Sequence, residues 1–217
     1  MRKFIVVDDT LQDYILVHRT PDDAVLRALQ EETAALGERS RMQISMDQGT
    51  LLRILTGAMG ARRAIEVGTF TGLSAICIAR GMGPEGRLLC CDVSEEWTAV
   101  ARRYWAKTGV ADRIELRIGP AADTLRRLPE TPAYDFAFID ADKKGYPVYF
   151  DEIVKRLRPG GLVVADNVLW GGDVVRPDVK DEDVEAIRGF NDLVAADPRV
   201  ESVILAVADG LTLARKR

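Results

Sequence analysis

A chain of 217 residues, 47% hydrophobic and 29% charged, suits one globular domain with a substantial buried core. Its net charge of −4 comes with basic residues scattered among acidic ones, which excludes the dense basic stripe of a nucleic-acid surface. No apolar run reaches the roughly 18–20 residues that cross a bilayer, so neither nucleic acid nor membrane is an expected partner.

Met1-Arg2-Lys3 and the apolar Phe4-Ile5-Val6-Val7 meet Asp8-Asp9 too early to form a signal-peptide core. Cys77, Cys90 and Cys91 make no disulfide framework and read as buried thiols of a protein kept in a reducing cytoplasm. His18 is the only histidine, which rules out a His-pair metal site and leaves most catalytic triads without their base.

In chain order, residues 1–60 read as a helical segment ahead of a cofactor-binding core over 61–217. No repeat or linker divides them, so a single domain is expected. Thr20-Pro21-Asp22-Asp23 supplies an N-cap, a proline at the first helical position and first-turn acids for a helix ending near Leu36-Gly37. A second helix starts near Met46-Asp47, with Leu51, Leu52, Ile54 and Leu55 on its apolar side. From Arg63 the pattern changes. Near-continuous apolar strands at 64–67, 87–91, 114–118, 136–139 and 162–165 alternate with helices at 72–80, 95–107, 121–128 and 149–157, the pattern of a parallel sheet covered on both faces. After a further helix near 184–194, two β-prone runs at 200–206 and 211–214 flank Asp209-Gly210. They predict an antiparallel hairpin that a wholly parallel dinucleotide-binding sheet lacks.

The first strand runs into Glu66-Val67-Gly68-Thr69-Phe70-Thr71-Gly72-Leu73-Ser74. Gly68 and Gly72 permit a tight turn that brings amide groups to a ligand at a helix start, where Ser74 can add a hydroxyl. The G-x-x-x-G spacing is not the dinucleotide fingerprint, so a ligand without a pyrophosphate fits better. Asp92, at the tip of the second strand, is placed to accept from ribose hydroxyls.

The fourth and fifth strands end in Asp140-Ala141-Asp142-Lys143 and Asp166-Asn167. Strand tips of an open α/β sheet share a rim, so Asp140, Asp166 and Asn167 are expected to converge. Oxygen ligands without thiolate or imidazole suit a hard cation, Mg²⁺ first with Mn²⁺ or Ca²⁺ as alternatives. Lys143 stands near enough to serve as a general base. The segment Trp170–Asp183 reads either as an acceptor-binding loop, with Trp170 and Arg176 as contacts, or as a surface connection.

These motifs resemble the cation-dependent O-methyltransferases, which include the caffeoyl-CoA and, more distantly, the catechol enzymes. The resemblance runs from about Met42 to the C-terminal hairpin. It implies a Rossmann-like class I methyltransferase fold and S-adenosylmethionine as cofactor, bound by Ile44, Glu66, Gly68, Thr69, Ser74, Asp92, Ala121 and Asp140. It also implies a metal on Asp140, Asp166 and Asn167, Lys143 as base, a small-molecule hydroxyl acceptor and a homodimer. Plant relatives carry Ser-Ala-Asp-Glu-Gly where this chain has Ser45-Met46-Asp47-Gln48-Gly49, and an asparagine where it has Gly171. Those differences leave the cofactor assignment intact and argue against a caffeoyl-CoA acceptor. The competing readings are a nicotinamide-dependent oxidoreductase, a non-catalytic S-adenosylmethionine-binding protein and a methyltransferase acting on nitrogen. The first leaves Asp166-Asn167 unexplained, and the second has no use for a metal site.

Overall fold

The computed structural model describes residues 5–217; Met1-Arg2-Lys3 and Phe4, the start of the segment weighed as a signal-peptide core, lie outside the described residues. Seven strands, β1 (Arg63–Val67), β2 (Arg87–Asp92), β3 (Ile114–Ile118), β4 (Tyr134–Ile139), β5 (Leu157–Ala165), β6 (Val200–Leu205) and β7 (Leu211–Lys216), form one sheet. Its order is β3-β2-β1-β4-β5-β7-β6, parallel through the first five strands, with β7 antiparallel to both β5 and β6. The helices are α1 (Asp9–Val17), α2 (Ala24–Ala34), α3 (Met46–Ala58), α4 (Leu73–Gly81), α5 (Glu95–Lys107), α6 (Ala121–Arg127), α7 (Tyr146–Arg156) and α8 (Glu182–Ala196). The expected mainly parallel sheet, helices on both faces and C-terminal hairpin are all present. Among the described residues no helix is long and apolar enough to cross a membrane.

Side chains alternate across a strand, so each central strand feeds two cores. On one face Ile65, Val67, Leu89, Cys91, Ala137, Ile139, Val163 and Ala165 pack under α6, α7 and α8. On the other, Ala64, Leu88, Cys90, Phe136, Phe138 and Val164 pack under α2, α3, α4 and α5. Full burial of one such aliphatic or aromatic side chain contributes about 1.5–3 kcal/mol. This is why the strands read as unbroken apolar runs.

Some boundaries differ from the sequence reading. Asp23, rather than Thr20, caps α2 by accepting from the Leu26 amide at 2.9 Å, which leaves Pro21 ahead of the helix. The same helix ends at Ala34, and Gly37, with φ of +64°, opens a separate 3₁₀ turn. Helix α7 starts at Tyr146, and β5 starts at Leu157 because Leu157 pairs with Tyr134 before a register irregularity.

Strands β1 and β4 are neighbours, yet the chain continues from β1 to β2 on one side and from β4 to β5 on the other. The crossovers diverge there, and a crevice opens at the carboxyl ends of the strands. Ladder bonds align those ends: Gly68 N donates to Cys91 O at 2.9 Å, Asp140 N to Val67 O at 2.8 Å and Asp166 N to Ile139 O at 2.9 Å.

Candidate active site

The turn after β1 is fixed by glycine geometry and by Asp92. Gly68 has φ of +88° and lies so close to the β4 tip that a Cβ would sit 1.7 Å from Asp140 O. Gly72, at φ +86°, faces Ala101 and Trp105 of α5, with no room for a side chain. Between them, the Thr69 and Phe70 amides each donate to Asp92 Oδ2 at 2.8 Å, and the Ser94 amide donates to Asp92 Oδ1 at 2.8 Å. Asp92 therefore holds the turn as well as facing the crevice.

The acidic end is built from β4, the turn after it and β5. Lys143, buried, donates from Nζ to Asn167 Oδ1 at 2.8 Å, to Asp140 Oδ1 at 3.3 Å and to Tyr146 Oη at 2.6 Å. Asn167 adopts φ of +56°, a region that asparagine tolerates better than most residues, and its amide donates to Asp166 Oδ1 at 2.6 Å. Burial raises the carboxyls of both Asp140 and Asp166, with the charge of Asp140 adding to the shift at Asp166 and Lys143 opposing it at both. The Asp140 carboxyl and the Asn167 amide oxygen thus share one ammonium, while the Asp166 carboxyl is engaged by the Asn167 main chain. Hard oxygen donors with a shortage of positive charge fit a small divalent cation, and Lys143 Nζ bridges the side-chain oxygens of Asp140 and Asn167. Among the described residues no group of His, Cys, Asp and Glu alone forms such a cluster; Asn167 is what completes this one.

Both ends open into one cavity of about 1080 Å³. Its walls run from Gly68, Thr69, Ser74, Asp92 and Ala121 to Asp140, Lys143, Asp166, Asn167 and Trp170, with Ile44 entering from the N-terminal side. Among the described residues, the non-glycine residues with positive φ, Phe70, Asn167, Trp170 and Ala208, all line it. Strained backbone is thus concentrated at the crevice.

A sequence profile of the family described as O-methyltransferase matches residues 17–217. The chain belongs to the O-methyltransferase family.

This O-methyltransferase is 37% identical to the catechol O-methyltransferase of Mycobacterium tuberculosis, with 90% of each chain covered. It is 36% identical to caffeoyl-CoA O-methyltransferase 5 of Nicotiana tabacum, covering 99% of this chain and 94% of the relative. The O-methyltransferase TomG of Streptomyces achromogenes, solved in complex with SAM, superposes with a TM-score of 0.87 at 33% identity, covering 95% of this chain and 96% of TomG. Membership of the family sets aside the oxidoreductase, binding-protein and nitrogen-methylating alternatives.

Two residues expected at the site of this O-methyltransferase lie off the cavity wall. Glu66 is wholly buried behind the turn, where its Oε2 accepts from Thr69 Oγ1 at 3.0 Å and Cys90 Sγ at 3.3 Å while Oε1 has no partner. Arg176 is turned to solvent, its side chain 63% exposed and paired with Asp173 at 3.0 Å, because Gly171 and Gly172 at φ +59° and +86° redirect the chain after Trp170. Of the segment 170–183, Trp170, Gly171 and Asp173 line the cavity, so only its first part faces the crevice. His18 is exposed and stacks on Tyr14, far in role from the site.

Several residues at the cavity wall or behind it were not marked as site residues by the sequence. Trp97, in the first turn of α5, presents an indole Nε1 with no partner. Asp209, in the hairpin turn, accepts from Gly171 N at 2.6 Å and brings Ala208 to the wall. Arg188 of α8 donates to the carbonyls of Asp173 at 2.8 Å, Val174 at 3.0 Å and Val179 at 3.0 Å, and also to that of Arg176, fixing the path of the loop.

Burial pushes the Glu66 carboxyl from 4.5 up to about 7. The folded value lies above the unfolded one, so its contribution to stability is full below the unfolded value and is lost as pH climbs through about 7. Glu66→Gln is therefore expected to stabilise the protein by about 2 kcal/mol near pH 8 and by much less near pH 5. Thermal melts at the two pH values check this; an equal gain at both would exclude the buried charge as its cause.

Proposed function

We propose that this protein transfers the methyl group of S-adenosylmethionine to a hydroxyl oxygen of a small molecule, assisted by a divalent cation, Mg²⁺ first with Mn²⁺ or Ca²⁺ as alternatives. The observation that carries the reading is the continuity of one cavity from the glycine turn and Asp92 to Asp140, Lys143, Asp166 and Asn167. The complex of TomG with SAM supports the donor assignment. Ile44, Gly68, Thr69, Ser74, Asp92 and Ala121 would hold the donor, with Glu66 bracing the turn from behind. Asp140, Asp166 and Asn167 would hold the cation.

The donor supplies an electrophilic methyl carbon on sulfonium sulfur. The chain's own part is to hold an oxygen and that carbon in line, which converts a bimolecular encounter into a positioned one. A cation held by the three oxygen donors would supply the Lewis acidity that makes a hydroxyl a better nucleophile near neutral pH. The C–O bond forms as the C–S bond breaks, and the hydroxyl proton passes to Lys143 Nζ, which has first released one of its own protons to solvent. Trp170 offers a flat apolar wall beside Lys143, whose Nζ lies 5.6 Å from the ring centre, and Gly171 leaves the rim open. An acceptor with two adjacent oxygens, a catechol or vicinal diol, or a natural-product hydroxyl suits that shape. One domain, a homodimer and a cytoplasmic setting complete the proposal.

A methyl-transfer assay over an acceptor panel tests it. Exhaustive dialysis against EDTA is expected to lower turnover by about a hundredfold or more, and added Mg²⁺ to restore it. Undiminished turnover in excess chelator would remove the cation from the mechanism.

A further inference from the structure

Lys143 has three N–H groups, and two of their three acceptors, Asp140 Oδ1 and Asn167 Oδ1, are oxygens assigned above to the cation. The third is Tyr146 Oη at 2.6 Å. Tyr146 is the first residue of α7 and is fully buried, its ring edge-on to Phe190 with centroids 5.2 Å apart. A phenol has one proton to give, and here it goes to the main-chain oxygen of Asp166 at 3.1 Å. Toward Lys143 the hydroxyl can therefore only accept. The Tyr146 ring also lies 4.6 Å from Nζ, offering its face to the ammonium.

We infer that Tyr146 is a positioning residue: its acceptor-only hydroxyl keeps the Lys143 amine beside the reacting oxygen once a cation has claimed the lysine's other partners. The inference rests on the cation reading given above. A divalent charge on Asp140 and Asn167 repels an ammonium and competes for the same lone pairs, leaving Tyr146 Oη as the lysine partner outside that set. The N–H spent on Tyr146 fixes the direction in which the rest of the nitrogen faces. Without the phenol oxygen, the four-carbon stem is free to swing toward the cavity mouth.

Tyr146→Phe is expected to lower kcat by about 10–100-fold with the donor KM changed less than about twofold. Added to Lys143→Ala, it is expected to cost nothing further, because the tyrosine acts through the lysine. A second readout does not use turnover. In protein saturated with Mg²⁺, reductive methylation of Lys143, followed by mass spectrometry, should run about tenfold faster in Tyr146→Phe than in wild type. Phe190→Leu loosens the same packing without touching the hydroxyl and should lower Tm while keeping kcat. Independent losses in the double variant, equal labelling rates, or a kcat loss in Phe190→Leu matching that of Tyr146→Phe would each overturn the inference. Failure of the cation reading is seen separately, as wild-type turnover that survives EDTA.

Discussion

Replacing Gly68 by alanine is expected to cost about 3–5 kcal/mol of stability and to abolish donor binding. Two effects act together. The backbone sits at φ of +88°, where an L side chain is strained, and the new Cβ would meet Asp140 O at 1.7 Å and Asp140 C at 2.6 Å. Both are backbone atoms of the neighbouring strand tip, so no side chain can move aside. The strand cannot retreat either, since Asp140 N is bonded to Val67 O at 2.8 Å. Urea denaturation gives the stability, and titration with S-adenosylhomocysteine gives the binding. Gly171→Ala is the control: φ is +59° but nothing lies within 4 Å of the added carbon, so about 1 kcal/mol is expected. A Gly68→Ala protein as stable as the control would mean that β1 and β4 do not meet as described.

Asp166→Ala is expected to reduce methyl transfer by about a thousandfold or more while leaving affinity for S-adenosylhomocysteine within about threefold. The same substitution should raise Tm by about 2–5 °C in metal-free protein. Burial and the neighbouring Asp140 charge both raise the Asp166 carboxyl, which is to say that its ionised form is disfavoured where it stands. Removing it relieves that cost, a signature of a group kept for chemistry at the expense of stability. Turnover, titration and melting curves check the three parts separately. A variant that loses activity and stability together would point to a structural aspartate instead.

Residues at strand tips were readable from the sequence because topology places them. Once the apolar runs at 64–67, 87–91, 136–139 and 162–165 are strands of one parallel sheet, their following residues, Gly68, Asp92, Asp140 and Asp166, must share a rim. Position relative to a strand end carries that information, and it needs no knowledge of side-chain direction. What escaped the sequence depends on direction. Tyr146 reaches the site because α7 starts there rather than at Tyr149, a difference of one helical turn. Arg176 fails to reach it because two glycines with positive φ intervene. Asp209 and Arg188 act on partners 38 and 15 residues away, and no local pattern announces such a pairing. Asp23 displaced Thr20 as the cap for a simpler reason, since both residue types cap well and only the backbone chooses between them.

The grip of Arg188 on the loop after Trp170 has a consequence for how such a site can change. Its guanidinium holds main-chain oxygens of Asp173, Val174, Arg176 and Val179, atoms that every amino acid possesses. Beyond the turn made by Gly171 and Gly172, the loop's course is thus held from α8, outside the loop itself, through atoms that do not depend on its side chains. Mutations there can redraw the loop's surface without redrawing the scaffold beneath. Sequence change is cheap at such a place, and one guanidinium underwrites it.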